Sequence, residues 1–156
     1  MKFAWEKLGP LIRDGLEDLL YQDFREVEVD QDTVPMAPDW PYYFEQERIG
    51  TYRVISARLD GELVGHNAFF VNKHTRHKGV TFAINDMIYM APEHRKGWAG
   101  IALIRESERL LKEAGVVKVQ YSIKLHVKLG ASRGTVGDLL AHLGYRHIED
   151  VYAKIL

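Results

Sequence analysis

Apolar positions along this chain alternate between two spacings, and each change of spacing marks a new element. Residues 9–20 (GPLIRDGLEDLL) place Leu11, Ile12, Leu16, Leu19 and Leu20 at helical intervals, with Pro10 suited to a first turn. Residues 34–43 (VPMAPDWPYY) hold Pro35, Pro38 and Pro41 and predict an extended connector, with a short helix over 42–49. From residue 51 the spacing becomes alternation. Tyr52, Val54 and Ser56 alternate with polar residues, Asp60-Gly61 fits a type I′ turn, and an apolar run follows, so 51–71 predicts a β-hairpin. A third strand is expected over 79–90 (GVTFAINDMIYM). Residues 98–114 return to helical spacing: Ile101, Ile104, Leu111 and Ala114 form a stripe, Glu108 stands four before Lys112, and Gly115 occupies a helix-ending position. Residues 116–123 predict a strand, 134–144 a short helix, and 147–156 (HIEDVYAKIL) a closing strand.

Antiparallel strands followed by helix, strand, helix and strand define an α+β class. A mixed, mostly antiparallel central sheet should carry helices on both faces. The whole of 1–156 is expected to be one domain, with a helical part over 1–48 and a core over 50–156.

Composition narrows the function classes. Lys and Arg number 21 against 22 Asp and Glu, giving a net charge of −1, so nucleic acid is not indicated as a partner. The chain has no cysteine, which removes disulfides, thiolate metal sites and a cysteine nucleophile together. No run approaches the ~18 apolar residues of a membrane span, and the N-terminus lacks the apolar centre of a secretory leader. A soluble, cytoplasmic protein with no membrane partner is therefore expected.

The richest chemistry lies in 86–104 (DMIYMAPEHRKGWAGIALI), where a strand passes through a basic turn with two glycines into a helix. Such a helix start presents unpaired N–H groups and the positive end of the helix dipole, which together suit a phosphate. His94, Arg95 and Lys96 add donors, and Gly97 and Gly100 allow close approach. The spacing matches neither the Walker A loop nor the dinucleotide-binding glycine fingerprint.

The stretch MAPEHRKGWAGIALI resembles the coenzyme A-binding motif of the GNAT superfamily of N-acetyltransferases, [RQ]-x-x-G-x-[GA]. His94, Gly97 and Ala99 occupy its three positions, and Arg95 pairs with Gly100 one residue later. Met90-Ala91-Pro92 matches the strand end that precedes the motif. KEAGVVKV, the hairpin RVISARLDGELVGHNAFF and the C-terminal LLAHLGYRHIEDVYAKIL are similar to further family segments, in order over about 50–156. The chain looks closest to small phage-like and bacterial GNAT proteins.

The resemblance implies an acetyl-CoA-dependent N-acetyltransferase in which an amine attacks the thioester directly. The pantetheine would run beside the strand through Ile88, Tyr89 and Met90, with an N–H near Ile88 polarising the acetyl carbonyl. The phosphates would sit on the turn formed by His94, Arg95, Lys96, Gly97, Trp98, Ala99, Gly100 and Ile101. The family often uses a carboxylate on the preceding strand as base. Asp86, with Asn85 beside it, is the only carboxylate there, and a purely structural role is the alternative. The family's usual acid, a tyrosine of the last helix, is Leu140 here, and Tyr121, Ser122 or water could replace it. His74 and His77, in a basic loop, are either solvated or border the acceptor together with His126. That spacing in a loop gives little support for metal, and none is assigned. The expected partner is a small-molecule or protein amine, and a homodimer is compatible with the sequence. The alternative function is a catalytically inactive GNAT-fold module that binds CoA, protein or nucleic acid.

Overall fold

A computed structural model describes residues 1–124 and 135–155. Five strands make one sheet in chain order: β1 (Lys2–Glu6), β2 (Tyr52–Leu59), β3 (Glu62–Lys73), β4 (Thr81–Met90) and β5 (Lys118–Gln120). The first three neighbour pairs are antiparallel and β4–β5 is parallel. Helices α1 (Leu8–Arg13), α2 (Leu16–Val27) and α3 (Trp40–Arg48) precede β2, α4 (Ala99–Glu113) joins β4 to β5, and α5 (Val136–His142) follows. The chain divides into two compact units, Met1–Ser122 with the whole sheet, and Ile123–Leu156 with α5.

Most elements form where the hydrophobic spacing places them. The β2–β3 turn has Asp60 at φ 50° and Gly61 at φ 93°, the two positive values that a type I′ hairpin requires. Helix α4 ends in a Schellman motif: Gly115, at φ 82°, donates to the Lys112 carbonyl and Val116 to the Leu111 carbonyl. That bond commits Val116 to the helix end, and β5 spans three residues, shorter than the expected 116–123.

Three expectations need correction. The helix expected over 9–20 is two helices, because Gly15 adopts φ 100° and breaks the turn between them. Helix α2 then runs on to Val27, with Glu17 and Asp18 in its first turn complementing the dipole. Strand β1 was not foreseen, although Phe3 and Trp5 stand two apart and pack against the α4 side of the sheet. The closing strand over 147–156 does not form among its described residues. Its apolar residues Ile148, Val151, Tyr152 and Ile155 are spaced three, one and three apart, so they do not share a strand face, and all four are exposed.

Two apolar clusters fill the two sides of the sheet. Leu8, Leu11, Leu16, Leu19 and Leu20 of α1 and α2 pack on Tyr52, Val54, Ala68 and Tyr89. Leu103 and Leu111 of α4 pack on Ile55, Val64, Phe69 and Met90. Truncating any one of these leucines to alanine should cost about 2–5 kcal/mol. Arg58 ties β1 to β2 and to the end of α1, through a two-pronged pair with Glu6 at 2.7 and 2.8 Å and a 2.7 Å contact with Asp14. Glu47 of α3 caps the other end of α1 by accepting from the Leu8 N–H at 2.8 Å.

His66, on β3 between Ser56 and Tyr89, is fully buried, and neither ring nitrogen has a partner among the described residues. Burial pulls its pKa down to about 4 from the ordinary 6.5. The folded protein thus keeps His66 neutral where the unfolded chain binds a proton. Stability is full above pH 6.5 and falls as pH drops toward 4, by about 3 kcal/mol. Urea unfolding at stepped pH should show this loss, and His66→Leu should remove most of it. An unaltered slope in the variant would assign the pH dependence elsewhere.

Candidate active site

The site is built on an irregularity of β4. Ala68 pairs with Met87 and Phe69 with Asn85, so Asp86 is an extra residue opposite β3, a β-bulge. The extra residue reverses the alternation beyond it. Asp86, Met87 and Tyr89 therefore serve the side covered by the N-terminal helices, whereas Asn85, Ile88 and Met90 serve the α4 side.

Asp86 is largely buried and accepts hydrogen bonds from the hydroxyls of Tyr52 at 2.9 Å and Tyr43 at 3.3 Å. Burial raises its carboxyl pKa above the ordinary value, and the two phenol hydrogen bonds hold back part of that rise. Burial and the neighbouring carboxylate push Tyr43 up to about 12 and raise Tyr52 further. Both phenols stay protonated donors at neutral pH. The result is a carboxylate oriented by two hydroxyls, in a setting that makes it a stronger base than a surface aspartate.

On the other side, Asn85 locks the bulge. Its amide nitrogen is within 2.9 Å of Asn67 Oδ1 and 3.0 Å of the Ala68 and Met87 carbonyls. Asn67 in turn donates to Ser107 Oγ of α4 and to the Tyr121 hydroxyl, each at 2.9 Å. Ile84↔Gln120 is the last β4–β5 pair, so Asn85 and Tyr121 stand where the two strands part. From there to Met90, β4 has no strand partner on its β5 side among the described residues. That leaves an open backbone edge leading directly to the turn before α4.

That turn carries a second feature. Helix α3 is capped by Asp39 and α5 by a Thr135–Asp138 capping box, whereas α2, starting at Gly15, and α4, whose cap position is Trp98, have no side-chain cap. Gly97 has φ 74°, and a Cβ at Gly97 or Gly100 would meet nothing within 4 Å. The fifteen-residue helix thus begins with N–H groups that no capping side chain accepts from. Lys96 is exposed and His94 half-buried, while Trp98 is 73% exposed and borders a cavity of about 490 Å³ with Phe3, Ile101 and Arg105. Arg95 is otherwise engaged: it grips Glu26 of α2 at 2.5 and 2.6 Å, donates to the Met90 carbonyl at 2.7 Å, and lies over the Tyr89 ring at 4.9 Å. Its side chain anchors the turn to α2 instead of pointing outward from it.

Several sequence-derived candidates come together here: Asp86, Asn85, Tyr121, Ile88, Tyr89, Met90 and the turn 94–101. The sheet divides them, with Asp86 on one side and Asn85 with Tyr121 on the other. His74 and His77 lie outside the group. Their rings are 4.6 Å apart in the β3–β4 turn, with His74 4.5 Å from Phe82, at the far end of β4 from Met90. Five residues of strand, about 15 Å, separate Thr81 from Asp86. His126 lies outside the described residues. Tyr43, Tyr52, Asn67 and Ser107 were not foreseen. The signal for Asn67 was present, because an amide within the apolar run GHNAFFV must find a buried partner.

Beside Asp86, a groove of about 480 Å³ runs between α2, the connector over 28–39, and α3. Tyr43, which donates to Asp86, and Met87 line it, whereas Asp86 itself does not.

Residues 14–131 match the model of the acetyltransferase (GNAT) family, well over half of the chain, and the protein belongs to that family. It is an N-acetyltransferase. Solved structures with the same fold include the ribosomal-protein-alanine N-acetyltransferase of Brucella melitensis biovar Abortus, 18% identical with a TM-score of 0.66, covering 100% of this chain and 99% of that one. The glucosamine-6-phosphate N-acetyltransferase of Arabidopsis thaliana is 13% identical with a TM-score of 0.70, covering 99% of each chain. An aminoglycoside acetyltransferase from an uncultured soil metagenomic sample, in complex with sisomicin, is 15% identical with a TM-score of 0.63 over 99% of this chain and 96% of that one. No curated protein matches the chain. Among the described residues, no helix is long and apolar enough to cross a membrane, and no cluster of side chains suits a metal ion.

Asn85→Leu would remove the donor shared by Asn67, Ala68 and Met87, leaving buried acceptors unpaired at a cost of about 2–4 kcal/mol. Urea denaturation should register this as a lower midpoint. A change within 0.5 kcal/mol would mean that the amide does not hold the bulge.

Proposed function

We propose that this chain, acting as one domain, transfers the acetyl group of acetyl-CoA to a primary amine, with Asp86 as the base. One observation carries the reading: the unpaired edge of β4 runs directly into a helix start that no side chain caps. An extended amide-bearing arm fits the first, and phosphates fit the second. The open space at Gly97 and Gly100 supports the fit.

Acetyl-CoA, when bound, supplies an acetyl thioester whose carbon–sulfur bond breaks as the amine nitrogen bonds to the acetyl carbon. The rest is work for the chain's own groups. Edge groups of Ile88 to Met90, other than the Met90 carbonyl held by Arg95, would align the arm, and the N–H groups of Lys96 to Ile101 would hold the phosphates. Lys96 adds positive charge, and Trp98 and Arg105 offer a flat ring and a cation for the nucleotide end. Arg95 acts through position, keeping the turn docked on α2. Asp86 takes the proton that the amine must lose, and the Tyr43 and Tyr52 hydroxyls aim its carboxylate. Tyr121, beside the point where β4 and β5 part, would return a proton to the leaving sulfur, and the Asn67 amide, which donates to its hydroxyl, would orient it.

Acetyl-CoA at a hundredfold excess over its dissociation constant should stabilise the protein by about 2.7 kcal/mol, read as a rise in melting temperature. Asp86→Asn should retain that shift and lower kcat/KM roughly 10²- to 10⁴-fold. In the wild-type pH profile the acid limb should lie above the ordinary aspartate value, because activity needs the ionised carboxylate and burial raises its pKa. The variant should lack this limb. A variant that keeps the wild-type rate and limb would remove Asp86 from the chemistry.

A further inference from the structure

Asp86 has one oxygen to spare. The hydroxyls of Tyr43 and Tyr52 both donate to its Oδ2, and Oδ1 accepts from no described residue. The described buried side-chain atoms that lack a partner are the two ring nitrogens of His66, so Oδ1 reaches solvent. Ala83 and Asn85 serve the α4 side, and alternation therefore puts Phe82 and Ile84 on the opposite side, with Asp86. Ile84 stands between its partners Phe70 of β3 and Gln120 of β5 and is still 47% exposed, so this part of the sheet face is uncovered. Beyond it, basic side chains gather around Phe82. The His74 and His77 rings lie 4.5 and 6.3 Å from the Phe82 ring, and Lys118 Nζ lies 5.1 Å from it. The pKa of His74 is lowered by burial first, then by the charges of His77, Arg76 and Lys118, which puts Arg76 in the same group. Among the described residues, neither Arg76 nor Lys118 belongs to an ion pair.

We propose that this face of β4 receives the acceptor, an elongated amine with an anionic far end. Its nitrogen sits at Asp86 Oδ1, its apolar chain crosses Ile84, and its anion lies among His74, His77, Arg76 and Lys118. The assignment rests on the transfer chemistry proposed above and specifies its acceptor. Charge sets the direction: the free carboxylate oxygen draws the ammonium from which the reacting amine arises, and the unpaired cations draw the anion. A diamine would press its second ammonium against those cations. A short amine would leave both them and the apolar surface unused. Four residues of strand, about 13 Å, separate Phe82 from Asp86. An extended chain advances roughly 3.5 Å for every three atoms, so a chain of about eleven atoms joins the two ends. His74 and His77, remote from the turn before α4, thereby serve the far end of the acceptor.

The test uses the full chain with acetyl-CoA, following thiol release with ω-aminoundecanoate, undecylamine, undecane diamine and δ-aminovalerate. The first three share one length and differ at the far end, whereas the last carries its carboxylate too close to the nitrogen. Aminoundecanoate should exceed undecylamine in kcat/KM roughly fivefold, the scale of contacts between exposed charges. The diamine should fall below undecylamine, and δ-aminovalerate should be the poorest. Raising ionic strength should increase KM for aminoundecanoate much more than for undecylamine. Arg76 and Lys118 are both exposed, and the double variant Arg76→Gln, Lys118→Gln should reduce the advantage to less than about twofold, chiefly through KM. Equal rates for aminoundecanoate and undecylamine, preference for the diamine or δ-aminovalerate, or a double variant that keeps the full advantage would overturn the acceptor assignment. Transfer to none of the four while acetyl-CoA still stabilises the protein would overturn it too. If the double variant folds poorly, the salt dependence of the wild-type protein decides on its own. Absence of stabilisation by acetyl-CoA would instead overturn the transfer reading itself.

Discussion

One residue too many in β4 organises this molecule. A regular strand would place Asp86 and Met87 on opposite sides of the sheet, and Tyr89 would then face α4. The bulge turns Asp86, Met87 and Tyr89 to the same side, so the leucines of α1 and α2 have Tyr89 to pack on and the carboxylate meets Tyr43 and Tyr52. A bulge leaves ladder groups unpaired, and here the Asn85 amide answers them by reaching the Ala68 and Met87 carbonyls. Its contact with Asn67 passes the constraint on to Ser107 and Tyr121. The position of α4 and the point where β5 leaves β4 are thereby tied to the same irregularity.

The sheet also keeps incompatible environments apart. On the α4 side the buried polar groups among the described residues are neutral amides and hydroxyls, satisfied by one another. On the helical side the polar groups include the fully buried His66, Ser56, and the Asp86 carboxylate flanked by two phenols. Ionic contacts, by contrast, work at the periphery: Arg58 fastens β1 and α1 to β2, and Arg95 fastens the turn to α2. Such partly exposed pairs set geometry more than they add stability.

Much of this is legible in the sequence, for physical reasons that differ by element. The β2–β3 hairpin, β4 and α4 follow from local signals, namely a positive-φ dipeptide, alternation, and a stripe ended by glycine. Asp86 stands out because a lone acid in an apolar strand requires explanation. The bulge itself is not legible, since TFAINDMIYM reads as ordinary alternation with one polar interruption, and only pairing with β3 reveals the extra residue. Arg95 is identified as part of the turn but its direction is not, because Glu26 lies 69 positions away in sequence. The break at Gly15 and the non-forming strand over 147–155 show the opposite error. Enough apolar residues are present in both segments, but glycine backbone freedom in one and uneven spacing in the other decide the outcome.

The missing cap on α4 has a consequence beyond catalysis. A helix start without a side-chain acceptor is a weak point that frays, and on the proposed reading the phosphates of the acetyl donor complete it. Degradative enzymes in cells act on transiently opened segments, so the lifetime of such a protein follows the fraction that is liganded. The abundance of this enzyme would then rise and fall with the supply of activated acetyl groups, a form of metabolic feedback that needs no separate regulatory site.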